Sequence, residues 1–246
     1  MTDIPLIVPD WPLPAGLRAV QTTRGGGLSQ GPWDSLNLAL HTGDDPKTVQ
    51  KNRERLSLAL GLARSPYWPR QVHGAVVVEA AATTDRVEAD AVVSRGPGEV
   101  CGVQTADCLP VLLCSHDGAV VAAAHAGWRG LAGGVLEATL RSMARPPAEV
   151  MAWLGPAIGP EAFEVGPEVR AAFVADHTGA AAAFRAGAGD RWFADIYRLA
   201  RLRLARAGVK GIHGGGRCTY TESETFFSYR RDGTCGRMAT LIWRIS

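Results

Sequence analysis

The stretch VQTADCLPVLLCSHDGAVVAAAHAGWRGLAGG, residues 103–134, decides the fold of this protein. Two apolar runs in it, VLLC and AVVA, lie on either side of the dipeptide Asp117-Gly118. Asp-Gly between apolar runs is typical of a tight turn that joins two antiparallel strands. The stretch therefore predicts a β-hairpin.

The register of this hairpin decides whether Cys108 and His125 share a face. A four-residue loop, residues 115–118, places these two residues directly opposite each other. A two-residue loop, with His116 paired to Ala119, makes them diagonal neighbours on one face, about 7–8 Å apart between Cα atoms. A three-residue loop would place them on opposite faces. Two of the three loop lengths thus bring a thiol and an imidazole together.

A thiol beside an imidazole supports two kinds of site. The pair is either a nucleophilic dyad or two ligands of a metal ion, although a free cysteine is also often a plain core residue. The ionisable Asp107 next to Cys108 favours a functional site. Gly127 and Gly130 favour it too, because they leave the backbone bare for a ligand where a helix begins.

A third residue would distinguish a dyad from a metal site. His73, in the segment QVHG, lies at the entrance of a predicted strand. With Cys108 and His125 it would provide two nitrogens and one sulfur, which suits zinc with a fourth position open. Spacing alone does not single out His73. The other histidines are poorer candidates, two in loops, one in the hairpin turn and one near a helix end: His41, His213, His116 and His177.

Further strands and helices are predicted outside the hairpin. Apolar runs predict strands at residues 76–78, 91–93 and 239–243, and helices begin near Leu131, Pro167 and Asp195. Strands joined mostly by hairpins, with helices between them, predict an α+β fold of layered sheets rather than a regular β-α-β alternation. No linker-like tract divides the chain, so residues 1–246 are predicted to form a single domain.

A glycine-rich segment precedes the first predicted helix. Residues 22–45 contain five glycines and no sustained period, which predicts a long loop of the kind that often carries function. The helix after it is capped by Asp45 and ends at Gly61. Asn52 and Arg53 interrupt its apolar stripe. Arg53 therefore either faces a site or extends its charged end off the edge of the core.

Composition excludes several classes of protein. The 246 residues are 46% hydrophobic and 20% charged, as expected of a soluble globular protein. The net charge of +2, without a basic run, disfavours nucleic-acid and membrane partners. We predict a cytoplasmic protein, because no signal peptide or membrane-spanning apolar stretch is recognisable. Five cysteines without C-x-x-C spacing argue against a disulfide framework and a zinc knuckle.

Nine segments of the chain resemble, in order, those of the YfiH-like family, also called the polyphenol-oxidase or laccase-domain family. They are TTRGGGLS, SLNLALHTGDDP, NRERL, QVHG, ADAVVS, QTADCLPVLL, HAGWRG, LGPAIGP and CTYTESETFFSYRRDGTCGR. The segments cover nearly the whole chain, and QTADCLPVLL followed by HAGWRG is highly specific. The sequence departs slightly at Thr42, where the family more often has Val, and at Gly27-Leu28, where Gly-Val is more usual.

The resemblance implies one α+β domain, with mixed and antiparallel sheets layered between helices in an α/β/β/α arrangement. It implies a metal held by His73, Cys108 and His125, usually zinc, with copper possible. It also implies phosphorolysis of adenosine, inosine and methylthioadenosine, and deamination of adenosine to inosine. Multicopper laccase chemistry is disfavoured, because the six histidines include no His-x-His pair.

Residue roles are predicted from this chemistry. Zinc acidifies a bound water, and Asp107 is the nearest carboxylate to move protons during deamination. A phosphate ion is best bound by an arginine that contacts two of its oxygens at once. Arg231 and Arg237 are available for this role, in addition to the arginines assigned below. The predicted catalytic residues are Asp107, Cys108 and Arg53. The predicted substrate-binding residues are Asn37, Arg53, Arg129 and Arg230.

Two alternative functions remain open. Some bacterial members of the family remove a wrongly added serine from peptidoglycan precursors, so the protein could be a zinc amidase of muropeptide precursors. It could also be a metal-stabilised binding protein without catalysis. Closed four-ligand coordination would favour the binding protein, and an open position that faces a cleft would favour an enzyme. The predicted partners are a purine nucleoside and phosphate, or a muropeptide precursor.

Overall fold

Three β-sheets and the helices around them make up the protein, in a computed structural model that describes residues 4–82 and 87–245. The terminal residues of the predicted single domain, residues 1–246, lie outside these described ranges. The strands are β1 (Leu6–Ile7), β2 (Leu17–Thr22), β3 (Val77–Glu79), β4 (Ala91–Ser94), β5 (Val100–Thr105), β6 (Leu109–Ser115), β7 (Val121–Ala126), β8 (Val150–Leu154), β9 (Glu164–Val165), β10 (Phe184–Ala186), β11 (Trp192–Ala194), β12 (Gly211–Gly214) and β13 (Met238–Arg244). The helices are α1 (Pro46–Leu60), α2 (Trp128–Ala132), α3 (Val135–Met143), α4 (Pro167–Asp176), α5 (Ile196–Arg206) and α6 (Tyr229–Asp232).

The largest sheet has six strands in the order β12-β8-β6-β7-β4-β3. A four-stranded sheet has the order β1-β2-β13-β5, and a small sheet has the order β10-β11-β9. In the six-stranded sheet, β12 pairs with β8 and β3 pairs with β4 in parallel, whereas the remaining pairs are antiparallel. The hairpin β6–β7 lies at the centre of this mixed sheet.

The two larger sheets pack face to face. Leu112 and Val121 of the six-stranded sheet are buried in one cluster with Val103 and Ile242 of the four-stranded sheet. Alternate residues of a strand point to opposite faces, so the neighbouring side chain Leu113 points away from this interface, into the cluster formed with the helices. The central hairpin is therefore apolar on both of its faces.

Helices cover the outer faces of both sheets. Leu113 of the six-stranded sheet packs in one cluster with Leu136 of α3. On the other side of the molecule, Leu241 of the four-stranded sheet packs in one cluster with Leu56 of α1. The layers therefore run helix, sheet, sheet, helix, and the predicted α+β fold class is confirmed.

The hairpin has the register that was predicted for a two-residue loop. Cys114 pairs with Val121 and Pro110 pairs with His125. Cys108 precedes Pro110 by two residues, so its side chain is on the same face as that of His125 and diagonal to it. The register predicted for a four-residue loop, with Cys108 directly opposite His125, is wrong.

The first helix begins and ends where the sequence predicts. The Asp45 carboxylate accepts hydrogen bonds from the N–H groups of Lys47 and Thr48, which otherwise have no partner at a helix start. Gly61 ends the helix with a left-handed backbone, at φ 63°, a conformation that costs glycine little.

Other predictions of secondary structure need correction. The helix expected near Leu131 is two helices, α2 and α3, because Gly134 between them has a left-handed φ of 88°. His213 lies in β12 rather than in a loop. Hairpins are not the main connection, since β13 pairs with β2 and β5 from distant parts of the chain. Strands β2, β5 and β8 were not predicted. Polar residues or glycine interrupt the apolar pattern of β2 and β5. Strand β8 is buried throughout, so it has no alternation of polar and apolar residues to mark it.

All five cysteines have free thiols. Burial raises the pKa of Cys114 to about 12, so this thiol remains protonated and packs as an ordinary core residue. Across the described ranges, no helix combines the length and the apolar character needed to cross a membrane.

Candidate metal centre between two cavities

Three side chains that can ligate a metal converge at one end of the central hairpin. The ligand atoms of His73, Cys108 and His125 all lie within 4.8 Å of one another, and Sγ of Cys108 is 3.7 Å from Nε2 of His73. Around a tetrahedral zinc ion, neighbouring nitrogen and sulfur ligands are about 3.3–3.5 Å apart. The cluster therefore fits three ligands of such an ion, with a fourth position left for water or substrate.

The ligands come from rigid and from irregular parts of the chain. His125 is in β7, and Cys108 directly precedes β6. His73 lies in the loop before β3 and has a positive φ of 61°, which is uncommon for a residue with a Cβ. The hairpin therefore fixes two of the ligands, and the third depends on what holds the loop.

Asp90 holds this loop and orients both histidines. Its Oδ1 accepts hydrogen bonds from the N–H of His73, at 2.9 Å, and from Nδ1 of His125, at 2.8 Å. Its Oδ2 accepts one from the N–H of Gly74, at 2.6 Å. Because Nδ1 of His125 is engaged, Nε2 is left for the metal. Sequence reasoning missed Asp90, and a buried acid at the start of an apolar strand was the available signal.

The charges of these groups support one another. Burial would raise the pKa of Asp90, but the hydrogen bond and charge of His125 outweigh it and lower that pKa. Burial would also raise the pKa of Cys108, but His125 and His73 lower it. The pKa of His125 is raised despite burial, because Cys108 and Asp90 stabilise its positive charge. The site thus favours a Cys108 thiolate beside a protonated His125, and a metal that binds there would displace the proton of His125.

A polar cavity of about 420 Å³ opens on one side of the cluster. We call it the polar cavity; it is lined by His41, Gln71, His73, Gln104, Thr105, Ala106, Cys108, His125, Tyr229 and Arg237. His41, which seemed a poor candidate in a loop, therefore lies beside the cluster. Tyr229 and Arg237 come from the C-terminal segment, more than 100 residues from the hairpin.

A second cavity, of about 250 Å³, adjoins the cluster as well. We call it the aromatic cavity; it is lined by His73, Ala106, Asp107, Cys108, Trp128, Arg129, Ile158, Phe163, Ile196, Tyr229 and Arg230. His73 and Cys108 line both cavities. The candidate metal centre therefore lies between a polar and an aromatic space.

Asp107, Arg129 and Arg230, all predicted site residues, line the aromatic cavity. The Arg129 guanidinium lies over the Trp128 ring, 4.4 Å from its centroid. Arg230 donates from Nη1 to the carbonyl of Glu164, at 2.9 Å. Both arginines thus have partners in the chain, and their predicted roles in substrate binding stay predictions.

The Asp107 carboxylate joins the hairpin to the C-terminal segment. Its Oδ1 accepts a hydrogen bond from the Thr219 hydroxyl and its Oδ2 accepts one from the N–H of Arg230, both at 2.6 Å. The backbone φ of Asp107 is 87°, so the turn before β6 depends on these contacts. Proton transfer by Asp107 stays a prediction.

Asn37 and Arg53 line neither of these two cavities. Asn37 is fully buried. Arg53 donates from Nε to the carbonyl of Leu38, at 2.8 Å, and lies over the ring of Trp68. It lines a third cavity, of about 420 Å³, on the outer side of α1. The roles of Asn37 and Arg53 in binding and catalysis stay predictions.

The two glycines after His125 make room for the chain itself. A Cβ on Gly127 would lie 2.7 Å from Cδ2 of His73 and 3.0 Å from Sγ of Cys108. A Cβ on Gly130 would lie 2.7 Å from the carbonyl oxygen of Gly74. The bare backbone therefore admits the His73 loop, where the sequence had predicted the approach of a ligand.

The chain is similar to known proteins over nearly its whole length. The "Purine nucleoside phosphorylase YfiH" of Shigella flexneri is 58% identical over 241 residues, covering 98% of this chain and 99% of the relative. The "Purine nucleoside phosphorylase PA4543" of Pseudomonas aeruginosa is 56% identical, with 96% and 97% covered.

Solved structures have the same fold. Protein NMB0706 of Neisseria meningitidis superposes with a TM-score of 0.95 at 51% identity, covering 98% of this chain and 99% of that one. YlmD of Geobacillus stearothermophilus superposes with a TM-score of 0.86 at 31% identity, covering 98% and 100%. The sequence model of the family described as "Multi-copper polyphenol oxidoreductase laccase" matches residues 18–245. The protein therefore belongs to this laccase-like family, the YfiH-like family that its sequence resembles.

Proposed function

We propose that the protein is a metal-dependent purine nucleoside phosphorylase that cleaves adenosine, inosine and methylthioadenosine with phosphate and also deaminates adenosine to inosine. The observation that carries the proposal is the position of the His73, Cys108 and His125 cluster between two cavities of different chemistry. The printed names of the two relatives support a purine nucleoside as the substrate.

Phosphorolysis needs two neighbouring subsites. A phosphate oxygen forms a bond to C1′ of the ribose while the bond from C1′ to the purine nitrogen breaks, and the released base takes up a proton. In such a displacement the attacking group and the leaving base lie on opposite sides of C1′. Two adjoining cavities that share residues of the cluster suit this arrangement, because they can hold both reactants in position for reaction.

The aromatic cavity suits the base. Trp128, Phe163 and Tyr229 line it, and aromatic rings stack on bases with about 1–3 kcal/mol per base. The polar cavity suits ribose hydroxyls and an anion, because amide and imidazole groups and one arginine line it. We therefore assign the base to the aromatic cavity.

We propose zinc as the metal. Two imidazoles and a thiolate with an open position form a zinc donor set. A copper electron-transfer site with the same three ligands usually adds a thioether, and the described residues that line the two cavities include no methionine. When bound, zinc acts as a Lewis acid and acidifies water.

The residues of the chain supply the remaining steps of deamination, in which adenosine and water give inosine and ammonia. Asp90 keeps His125 in the orientation that presents Nε2 to the site. Asp107, which lines the aromatic cavity, is proposed to carry the proton from water to the leaving ammonia, with the Thr219 hydroxyl as its partner. We propose the cytoplasm, which the sequence predicts, as the place where the protein acts.

Product analysis tests the proposal. Zinc-loaded protein is incubated with inosine and phosphate, with adenosine without phosphate, and with a serine-bearing muramyl precursor. We expect hypoxanthine and ribose 1-phosphate in the first reaction and inosine in the second. Serine released in the third reaction, without nucleoside products in the others, would refute the proposal in favour of the amidase.

A further inference from the structure

The polar cavity contains one arginine and one histidine outside the metal cluster, Arg237 and His41. We propose that Arg237 and His41 form the subsite that binds the phosphate dianion. This inference rests on the proposed phosphorolysis and assigns one reactant of that reaction to named residues. Both side chains line the polar cavity together with His125 and Cys108 of the cluster, so an anion held there lies beside the candidate metal.

One edge of the Arg237 guanidinium is anchored and the other remains available. Nη1 donates to the carbonyls of Cys235 and Gly236, at 2.9 and 3.0 Å. Within the described part of the chain, Nε and Nη2 have no hydrogen-bond acceptor. These two nitrogens share one edge of the planar group, and their parallel N–H groups match two oxygens of a phosphate. The Arg237 guanidinium is therefore held in place through Nη1, and its Nε and Nη2 groups are available to bind an anion.

His41 lines the same cavity as Arg237, so one anion in that cavity can contact both side chains. Burial and then the positive charge of Arg237 are the main causes that lower the pKa of His41. A doubly charged phosphate between the two side chains would offset this repulsion. The imidazole can donate a third hydrogen bond to the anion, whichever of its nitrogens faces the cavity.

Asn37 holds both partners of this subsite. Its Oδ1 accepts hydrogen bonds from the N–H of Arg237, at 3.0 Å, and from the N–H of Ala39, at 3.1 Å. Its Nδ2 donates to Thr42, at 2.9 Å, so the amide joins the loop that carries His41 to the segment that carries Arg237. Asn37, predicted to bind substrate, acts as a positioning residue in this proposal.

The other arginines considered for phosphate are engaged elsewhere. Arg231 donates from Nη1 to the carbonyls of Thr219 and Tyr220 and from Nη2 to that of Phe226. Arg129 and Arg230 line the aromatic cavity instead. Of the arginines among the described residues that line the two cavities, Arg237 is the one on the polar side.

Phosphate-dependent kinetics test the subsite. Inosine cleavage is measured in the zinc-loaded wild type, Arg237→Lys and His41→Asn, with phosphate and inosine varied separately. Lysine cannot bind two oxygens as a fork, so we expect Arg237→Lys to raise the KM for phosphate about 10- to 100-fold, the range that losing a charged hydrogen bond predicts. We expect His41→Asn to raise it about fivefold, as a neutral hydrogen bond predicts.

A matched control and a binding measurement make the test decisive. Arg185 also lies over an aromatic ring, Phe193, but on the small sheet, so Arg185→Lys should keep the wild-type KM for phosphate. An equal rise of both KM values in Arg237→Lys, or an unchanged KM for phosphate, would overturn the subsite.

Titration calorimetry with inorganic phosphate separates this inference from the proposed function. If the wild type cleaves no nucleoside but binds phosphate, and Arg237→Lys does not bind it, the subsite stands and the phosphorylase proposal fails. If both proteins bind phosphate with the same Kd, or neither binds it, the subsite is overturned.

Discussion

The central hairpin β6–β7 and the loop of residues 23–45 both contribute to the site, but different interactions order them. The hairpin is held by main-chain pairs and by apolar burial on both faces. The loop has little regular structure; besides the buried Leu36 and Leu38, it is held by buried polar side chains, among them Asn37, Asp44 and Asn52. The comparison teaches that an apolar period marks the first kind of order in the sequence, whereas isolated polar residues mark the second.

Asn52 shows how the loop is held. Its Oδ1 accepts a hydrogen bond from the N–H of Leu28, at 2.8 Å. Its Nδ2 donates to the Ser29 hydroxyl and to the carbonyls of Ser35 and Asn37, at 2.9, 3.2 and 2.9 Å. A polar residue on the buried stripe of α1 thus reaches the loop before the helix. Its place in the apolar pattern reflects structural support and not contact with a cavity.

The largest effect should come from removing a ligand on the hairpin side. We expect Cys108→Ala to lose its metal. A zinc site with four ligands is worth about 10–16 kcal/mol, so the removal of one ligand costs about 3 kcal/mol or more. Elemental analysis after dialysis measures the bound metal. Cys114→Ala, which removes a buried thiol from the strand that follows Cys108, should keep it. Full metal content in Cys108→Ala, with activity lost, would favour the nucleophilic dyad.

Sequence patterns predicted the hairpin side of the site better than the loop side. The turn at Asp117-Gly118 limited the register to a few choices, and two of them placed Cys108 beside His125. Nothing in the spacing joined His73 to them; the family resemblance did. The contacts of Asp90 and Arg237 join segments far apart in the chain, and a local period carries no information about such contacts.

The loop side should show the next largest effect, in stability. Asn52→Ala leaves the groups around the buried amide without partners, and we expect the free energy of unfolding to fall by about 2–4 kcal/mol. Urea denaturation measures this change. Gln50→Ala, at an exposed position of the same helix, should change it by less than about 0.5 kcal/mol. Equal effects of the two substitutions would contradict the assignment of Asn52 as the anchor of the loop.

Asp90 links the hairpin to the loop that carries His73, and its substitution should have an intermediate effect. Asp90→Asn keeps the size of the side chain but removes the charge that faces His125 and an acceptor of the His73 loop. Loss of such an outer carboxylate typically weakens metal binding about 10- to 100-fold. Competition with a zinc chelator measures the affinity. A wild-type affinity would mean that the hairpin alone positions the ligands.

The smallest effect should come from the hairpin turn. The Ser115 hydroxyl and then the N–H of Ala119 donate hydrogen bonds to Asp117, and they lower the pKa of its carboxyl below the ordinary 3.8. The charged form therefore favours the folded state. The contribution of the charged Asp117 to the free energy of unfolding is complete above the pKa that Asp117 has in the unfolded chain. It is lost as the pH falls through the lower pKa that Asp117 has in the folded protein.

Asp117→Asn removes this charge and little else, so the stability difference from wild type should be present at neutral pH and disappear in acid. Urea midpoints of both proteins between about pH 2.5 and pH 7 measure it, across the range in which an Asp titrates. Because main-chain pairs and two apolar faces hold the hairpin, the difference at neutral pH should be well below that of Asn52→Ala. A loss as large as that of Asn52→Ala would show that a polar side chain holds the hairpin as well, and the contrast between the two regions would fail.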